Sequence, residues 1–174
     1  MEFTTTTDYD KKTLTAMARA LRKTVRKKRS RRAHIFGWIV VLLGTFLLLP
    51  PAGSSFSING RTLLTLSAVL AILLTFFFED RLNGYFARKR LLPGTESAVS
   101  VFKEDSYHTE TRSGQTDWPY DRIAAIAELP DYFILILGEN HAQAYDKARL
   151  KGGMPEEFSR FLEARTGLSI ARIS

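Results

Sequence analysis

The stretch that decides the fold reads KKRSRRAH at residues 27–34, followed by the apolar run IFGWIVVLLGTFLLL at Ile35–Leu49. A short connecting segment, Pro50–Arg61, leads to a second apolar run at Thr62–Phe78. Neither run contains a charged residue, and as a helix each would be about 25 Å long, close to the thickness of a bilayer's hydrocarbon core. We therefore predict two transmembrane helices, at residues 35–49 and 62–78, joined as a hairpin by an external loop at residues 50–61.

The positive charges around this hairpin predict its orientation. Nine Lys/Arg residues lie between Arg19 and Arg32, before the first run, whereas the connecting segment contains only Arg61. The second helix is predicted to continue to about residue 92, through the basic sequence ARKR at residues 87–90, until Pro93-Gly94 ends it. Because positive residues favour the cytoplasmic side, we expect a multi-pass cell membrane protein with both termini in the cytoplasm.

The sequence before the first apolar run also allows another interpretation. Ser30-Arg31-Arg32 resembles a twin-arginine export signal, and small residues at 50–54 would suit a cleavage site. A second apolar run follows soon afterwards, and this favours a membrane anchor over a cleaved signal.

The net charge of +7 is unevenly distributed along the chain. Residues 1–34 carry a net charge of +8 and residues 95–174 a net charge of −4. A basic segment beside a membrane span suggests anionic lipid of the inner leaflet as its partner, and not nucleic acid. The residues expected to contact this lipid are Arg22, Lys23, Arg26, Lys27, Lys28, Arg29, Arg31, Arg32, Arg88, Lys89 and Arg90.

Residues 1–34 are predicted to form a basic amphipathic cytoplasmic arm. Its apolar residues recur at helical spacing, so we expect a helix that lies on the membrane surface or against the C-terminal domain. These residues are Leu14, Met17, Ala18, Leu21 and Val25. The arm would either sense lipid or simply fix the topology, while residues 2–7 (EFTTTT) form either a disordered end or an added edge strand.

Residues 95–174 are predicted to form a small cytoplasmic domain of antiparallel strands that ends in one α-helix. Tyr132–Leu137 (YFILIL) is continuously apolar and should be a central strand buried on both sides. Met154–Thr166 should be a helix, with Pro155 at its first position and Gly167 just beyond its end. The fold class is therefore an α+β membrane protein.

The sequence contains no recognisable catalytic constellation. It has no cysteine, its three histidines (His34, His108 and His141) lie on different predicted elements, and no G-x-S-x-G or phosphate-binding loop is present. We predict that the protein is not an enzyme and has no catalytic, cofactor-binding or metal-binding residue, so no cofactor. Trp118 is expected either as a core anchor or as an exposed aromatic residue for binding.

The order of several short segments carries a family resemblance. FKED at 102–105, DWPYDRI at 117–123, AELPDYFILIL at 127–137, DKARL at 146–150 and EEFSRFLEART at 156–166 follow two apolar spans. In this order the chain resembles the YcxB-like family of bacterial membrane proteins. The resemblance implies a C-terminal domain like a pleckstrin-homology (PH) domain, and a family basic residue at Lys147. Here Ala144-Tyr145-Asp146 precedes that lysine, where the family is more apolar.

We expect an inner-membrane protein that presents this small PH-like interaction domain to the cytoplasm. The clustered cations Lys147, Arg149 and Lys151 are candidate contacts for a protein partner that the sequence does not identify. One alternative is an accessory, regulatory or immunity-type subunit of a larger membrane complex. Another is a membrane-bound enzyme of unknown type.

Overall fold

The structure is a computed structural model that describes residues 2–50 and 57–173. The helices are α1 (Lys11–Lys23), α2 (Lys27–Leu48), α3 (Gly60–Lys89) and α4 (Pro155–Thr166). The strands are β1 (Phe3–Asp8), β2 (Ser97–Phe102), β3 (Ser106–Thr111), β4 (Gly114–Pro119), β5 (Ala125–Glu128), β6 (Tyr132–Gly138), β7 (His141–Asp146) and β8 (Ile170–Arg172). The chain divides into two compact units, residues 1–27 with 80–174, and residues 28–79.

The first unit contains two four-stranded sheets. Their strand orders are β1-β2-β3-β4 and β7-β6-β5-β8, and every pairing is antiparallel except that of β5 with β8. The coarse expectation of a mixed α+β fold with antiparallel sheets is confirmed.

Strand β1 answers the question that the sequence left open at residues 2–7. It pairs with β2 from Phe3 opposite Phe102 to Asp8 opposite Ser97, although both apolar runs separate the two strands in the chain. The first 27 residues therefore belong to the same compact unit as residues 80–174, and the boundary between an arm and a domain does not fall at residue 34. The run of β-branched threonines suits this position in a sheet.

Two threonines of β1 also fasten the first sheet to the second. The Thr5 hydroxyl donates to the carbonyl of Asp146 at 3.1 Å, and the Asp146 N–H donates to the Thr7 hydroxyl at 3.1 Å. Thr4 and Lys151 exchange a pair of backbone hydrogen bonds at 2.8 and 3.0 Å. These contacts join the edge strand β1 to the end of β7 and the residues that follow it.

Helix α1 packs on the outer face of the second sheet, with Leu14, Ala20 and Leu21 buried. Asp10 caps its first turn by accepting from the Thr13 N–H at 2.7 Å. The sequence left two docking places open for this amphipathic helix, the membrane surface and the C-terminal domain. In the structure the helix packs against the domain.

The position of α1 explains why β6 is apolar throughout. Successive side chains of a strand point to opposite faces. Phe133 and Leu135 belong to the core between the sheets, whereas Ile134 and Ile136 belong to the cluster under α1. The prediction of a central strand buried on both sides is confirmed.

Helix α4 covers the core between the sheets with Phe158 and Leu162, both fully buried. Pro155 is its first residue, the Glu157 carboxylate accepts from the Met154 N–H at 2.8 Å, and Gly167 ends it with a φ of +67°. The predicted helix is confirmed, but the domain does not end with it. Strand β8 follows and pairs in parallel with β5, an element that three residues are too few to signal in a sequence.

The last turns of α3 are fastened to α1. The Arg22 guanidinium donates two hydrogen bonds of 2.7 Å to Asp80, and Arg19 lies 3.5 Å from the same carboxylate. At Gly84 a Cβ atom would lie only 2.7 Å from the backbone nitrogen of Thr15, so the two helices touch at this glycine. Asp80 of α3 thus pairs with two arginines of α1.

The second unit contains most of α2 and α3, two helices that are long and apolar enough to cross a membrane by length and composition. Gly37 and Gly44 of α2 face Phe76 and Val69 of α3, and Val41 between them is buried. The small residues Ser67, Ala71 and Thr75, four apart on α3, would suit such a close helix contact, but they are exposed, because glycines on α2 make room for large side chains of α3. Half of the predicted external loop, residues 51–56, lies outside the described residues, and α3 begins at Gly60.

Candidate functional site

The inner face of the first sheet is built from three rows of side chains that each cross all four strands. The row next to α4 is aromatic, because the strand register aligns Phe3, Phe102, Tyr107 and Trp118. Three of these four are fully buried, and Trp118 packs against the same cluster. This row closes one end of the space between the sheets.

The next two rows differ sharply in chemistry. Thr5, Ser100, Thr109 and Thr116 form a hydroxyl row, and Ser100 and Thr109 share a hydrogen bond of 3.0 Å. Thr7, Ala98, Thr111 and Gly114 form a row of small side chains beyond it. Since small residues cannot fill the gap between two sheets, the core ends at the hydroxyl row.

A cleft of about 320 Å³ occupies this gap. Its first-sheet wall includes Thr109, Thr116 and Trp118, while α1 contributes Leu14 and Met17. Strand β7 closes the opposite side with His141, Ala142 and Gln143. The volume is at the lower end of the range for small-molecule sites. We call this space the inter-sheet cleft.

Apart from the His141 imidazole, the polar side chains that line the inter-sheet cleft are hydroxyls, the Gln143 amide and the Trp118 indole N–H. Gln143 is held in place because its side-chain carbonyl accepts from the Tyr145 hydroxyl at 2.6 Å. Burial raises the pKa of Tyr9, which also lines the cleft, to about 12, and burial raises the pKa of Tyr145 as well. Both phenols therefore remain protonated donors at neutral pH, and the lining suits a small, uncharged, partly apolar group.

Trp118 combines the two roles that the sequence left open. It packs on the aromatic core, and it lines the inter-sheet cleft, where His141 meets it edge to face with ring centroids 5.3 Å apart. The indole nitrogen is buried and has no hydrogen-bond partner in the described structure. A buried unpaired donor is uncommon in packed cores and marks this residue as a candidate binding element.

The residues predicted to contact anionic lipid separate into two groups. Arg22 bonds to Asp80, and Arg26 donates to the Glu139 carbonyl and the Asn140 side chain at 2.6 Å each, so these two side chains support the domain. The exposed members of the set are Lys23, Lys27, Lys28, Arg29, Arg31, Arg32, Arg88, Lys89 and Arg90. For these exposed residues, lipid contact stays a prediction.

The cluster predicted for partner contact is largely used inside the domain. Lys147 is 16% exposed; its ammonium lies 2.7 Å from Glu128 and 4.6 Å from the centre of the Phe133 ring. Arg149 lies 2.7 Å from Asp8. Lys151 is exposed, but its backbone pairs with Thr4. Charge clustering in sequence suggested a free basic surface, whereas the fold directs two of these cations towards its own carboxylates.

The three histidines lie on different elements, α2, β3 and β7, and two of them have acidic partners that the sequence did not suggest. His108 lies 2.9 Å from Asp117, its neighbour across the β3–β4 pairing, and His34 lies 3.5 Å from Glu79 in the second unit. No group of three or more metal-ligating side chains occurs among the described residues.

The inter-sheet cleft was not predicted, although the sequence contains its signal. Strands β2 and β4 contribute one hydroxyl each, Ser100 and Thr116, while in β1 and β3 threonine recurs two positions along, at Thr5 and Thr7 and at Thr109 and Thr111. Such a spacing places both hydroxyls on one face of the strand. What the sequence could not supply was the register that aligns these hydroxyls into one row.

Residues 102–162, from the end of β2 to α4, match the family model described as YcxB-like protein. The predicted family resemblance is therefore confirmed over this region, about a third of the chain. The matched region contains β3–β7 but neither β1 nor the two long apolar helices. No curated protein and no solved structure matches the chain.

Proposed function

We propose that this chain, whose residues 102–162 match the YcxB-like family, is a membrane-anchored binding protein and not an enzyme. Helices α2 and α3 would cross the membrane as a hairpin, and the two-sheet domain would lie at the cytoplasmic face. The inter-sheet cleft would receive a small uncharged group of a ligand or partner.

One observation carries the anchored arrangement. Strand β1 precedes the apolar hairpin, strand β2 follows it, and the two are neighbours in one sheet. Both ends of the hairpin must then lie on the same side of a membrane, which an even number of spans provides. In the unit at residues 28–79 the large apolar side chains are exposed, up to 80% for Phe77, as lipid-facing residues would be.

The cytoplasmic side is favoured by charge. Exposed cations precede the first span at residues 27–32 and follow the second at residues 88–90, whereas Arg61 is alone in the predicted loop. Positive residues are retained on the cytoplasmic side during insertion. Exposed members of these groups would also attract anionic lipid headgroups.

A PH-like architecture is part of this proposal. Its support is a first sheet of β1–β4, a second sheet that includes β5–β7, and a following helix α4 that covers one end of the core. Strand β8 is an addition to that arrangement. With β1 supplied from before the hairpin, the apolar helices would be an insertion into the domain after its first strand.

The sidedness can be tested by cysteine labelling because the chain contains no cysteine. Ser57→Cys would report on the loop and Ser113→Cys on the domain, both in full-length protein in intact cells. A membrane-impermeant maleimide should label Ser57→Cys before lysis and Ser113→Cys only after lysis. Labelling of Ser113→Cys in intact cells, or protection of both until lysis, would refute the proposed topology.

A further inference from the structure

We propose that a second site, a basic groove between α1, the last part of α3 and the turn from β5 to β6, binds the phosphate group of an anionic phospholipid. This inference rests on the proposed membrane anchoring for the source of its ligand. The groove has a volume of about 660 Å³ and lies within the first unit. Its lining includes Lys11, Thr15, Arg19, Arg81, Asp131 and Tyr132.

Helix α1 presents a polar stripe to this groove. Lys11, Thr15 and Arg19 are each four residues apart and so share one face of the helix. The face that carries Ala20 and Leu21 is buried against the second sheet. The helix thus separates the apolar core on one side from a cation-rich groove on the other.

Cations outnumber carboxylates in the lining of the groove. Four Lys/Arg and two Asp residues line it. Lys12 pairs with Asp131 at 2.8 Å and Arg19 with Asp80 at 3.5 Å. Among the residues that the structure describes, no carboxylate pairs with Lys11. A phosphate in the groove would supply the missing negative charge.

The position of Lys11 is also unfavourable for the helix alone. It is the first residue of α1, where the partial positive charge of the helix N-terminus disfavours a cation. The neighbouring N–H of Thr13 is already occupied by the Asp10 cap. A lysine there is better explained by an anionic ligand than by helix stability.

Arg81 identifies the ligand as a lipid. It is separated from the apolar run at residues 62–78 only by Glu79 and Asp80, and it lines the groove. If α3 spans the membrane, Arg81 lies at the depth of the phospholipid headgroups. The groove would therefore open where phosphate groups are concentrated, and α1 would bring Lys11 and Arg19 to the same place.

The test is a calorimetric titration of the full-length protein in a neutral detergent with dioctanoyl phosphatidylglycerol. Dioctanoyl phosphatidylcholine and inorganic phosphate serve as the comparison probes. We expect saturable binding of the anionic lipid, weakened about fivefold by Lys11→Gln, since one cation near an anionic headgroup changes the affinity by about that factor. Arg160→Gln removes the same charge from the exposed surface of α4 and should leave the affinity unchanged.

If Lys11→Gln and Arg160→Gln weakened lipid binding equally, the groove would not be the binding site, because binding would then follow net charge alone. Equal affinity for phosphatidylcholine would overturn recognition of an anion. If an equal concentration of inorganic phosphate displaced the lipid, the groove would bind phosphate in general and would not be specific for a phospholipid. The cysteine-labelling result is independent of these outcomes, so a failed groove and a failed membrane topology can be told apart.

Discussion

Phe3 lies directly opposite Phe102 in the antiparallel pairing of β1 and β2, with both apolar helices between them in the chain. Both rings are fully buried, and each also contacts Phe158 of α4, with centroid distances of 5.1 and 4.8 Å. The first residues of the chain are thus part of the aromatic core. Folding of the domain requires that both sides of the hairpin come together.

Removal of the Phe3 side chain should therefore destabilise the whole domain. We expect Phe3→Ala to lower the free energy of unfolding by about 3–5 kcal/mol, as for other buried aromatic residues. Urea unfolding of the full-length protein in detergent, followed by circular dichroism, measures this. Thr6→Ala changes a less buried residue of the same strand and should cost under about 1 kcal/mol. Equal costs for the two variants would contradict this role of β1.

The contact between Gly84 and Thr15 predicts a second sensitive position. A Cβ at Gly84 would approach the Thr15 backbone to 2.7 Å, so α1 or α3 must shift. We expect Gly84→Ala to destabilise the domain by about 1–3 kcal/mol despite alanine's better helix propensity. At Gly138 a Cβ would meet nothing within 4 Å, and Gly138→Ala serves as the control in the same thermal unfolding measurement. A more stable Gly84→Ala variant would show that the helices do not touch here.

Much of this fold is predictable because some signals are local. Apolar length predicts the two long helices, the continuous apolar run predicts the buried strand β6, and Pro155 with Gly167 predicts the ends of α4. Each of these depends on neighbouring residues only.

The remaining features depend on contacts between distant segments. The partner of β1, the alignment of the hydroxyl row and the pairing of Lys147 with Glu128 all require the tertiary register. Residue size alone does not identify the face of α3 that meets Gly37 and Gly44, since Phe76 and Val69 lie there and the small Ser67, Ala71 and Thr75 do not. The cluster of positive charges at Lys147–Lys151 is evident from the sequence, but the carboxylates that pair with them are not.

The inter-sheet cleft predicts an asymmetry between two buried alanines. Ala98 lines the cleft, whereas Ala127 lies in the packed cluster under α1. Ala98→Val can extend into the cleft and should change stability by less than about 1 kcal/mol, while Ala127→Val should cost about 1–3 kcal/mol through overpacking. Thermal unfolding of both variants compares the two sites. Equal penalties would mean that no usable space exists at Ala98.

The buried phenols predict a loss of stability in alkali. Because burial raises the pKa of folded Tyr9 from 10.0 to about 12, the unfolded state loses its proton first as the pH rises. The contribution of Tyr9 is fully present below pH 10 and is lost between about pH 10 and pH 12, amounting to about 3 kcal/mol. Unfolding free energies measured at intervals across this range should fall less steeply for Tyr9→Phe than for the parent protein. An identical slope would contradict the burial of this hydroxyl.

The half-buried ion pair of Lys147 and Glu128 predicts a structural role for this lysine. Lys147→Ala would leave Glu128 with only the more distant Arg172, 3.4 Å away and itself 85% exposed. We expect a loss of about 1–3 kcal/mol, because a partly buried carboxylate loses its closest cation. Lys151→Ala removes an exposed lysine of the same segment and should cost under about 0.5 kcal/mol in the same urea titration. If both variants keep the parent's stability, Lys147 is free for a partner after all, and the original prediction of a basic contact surface regains its basis.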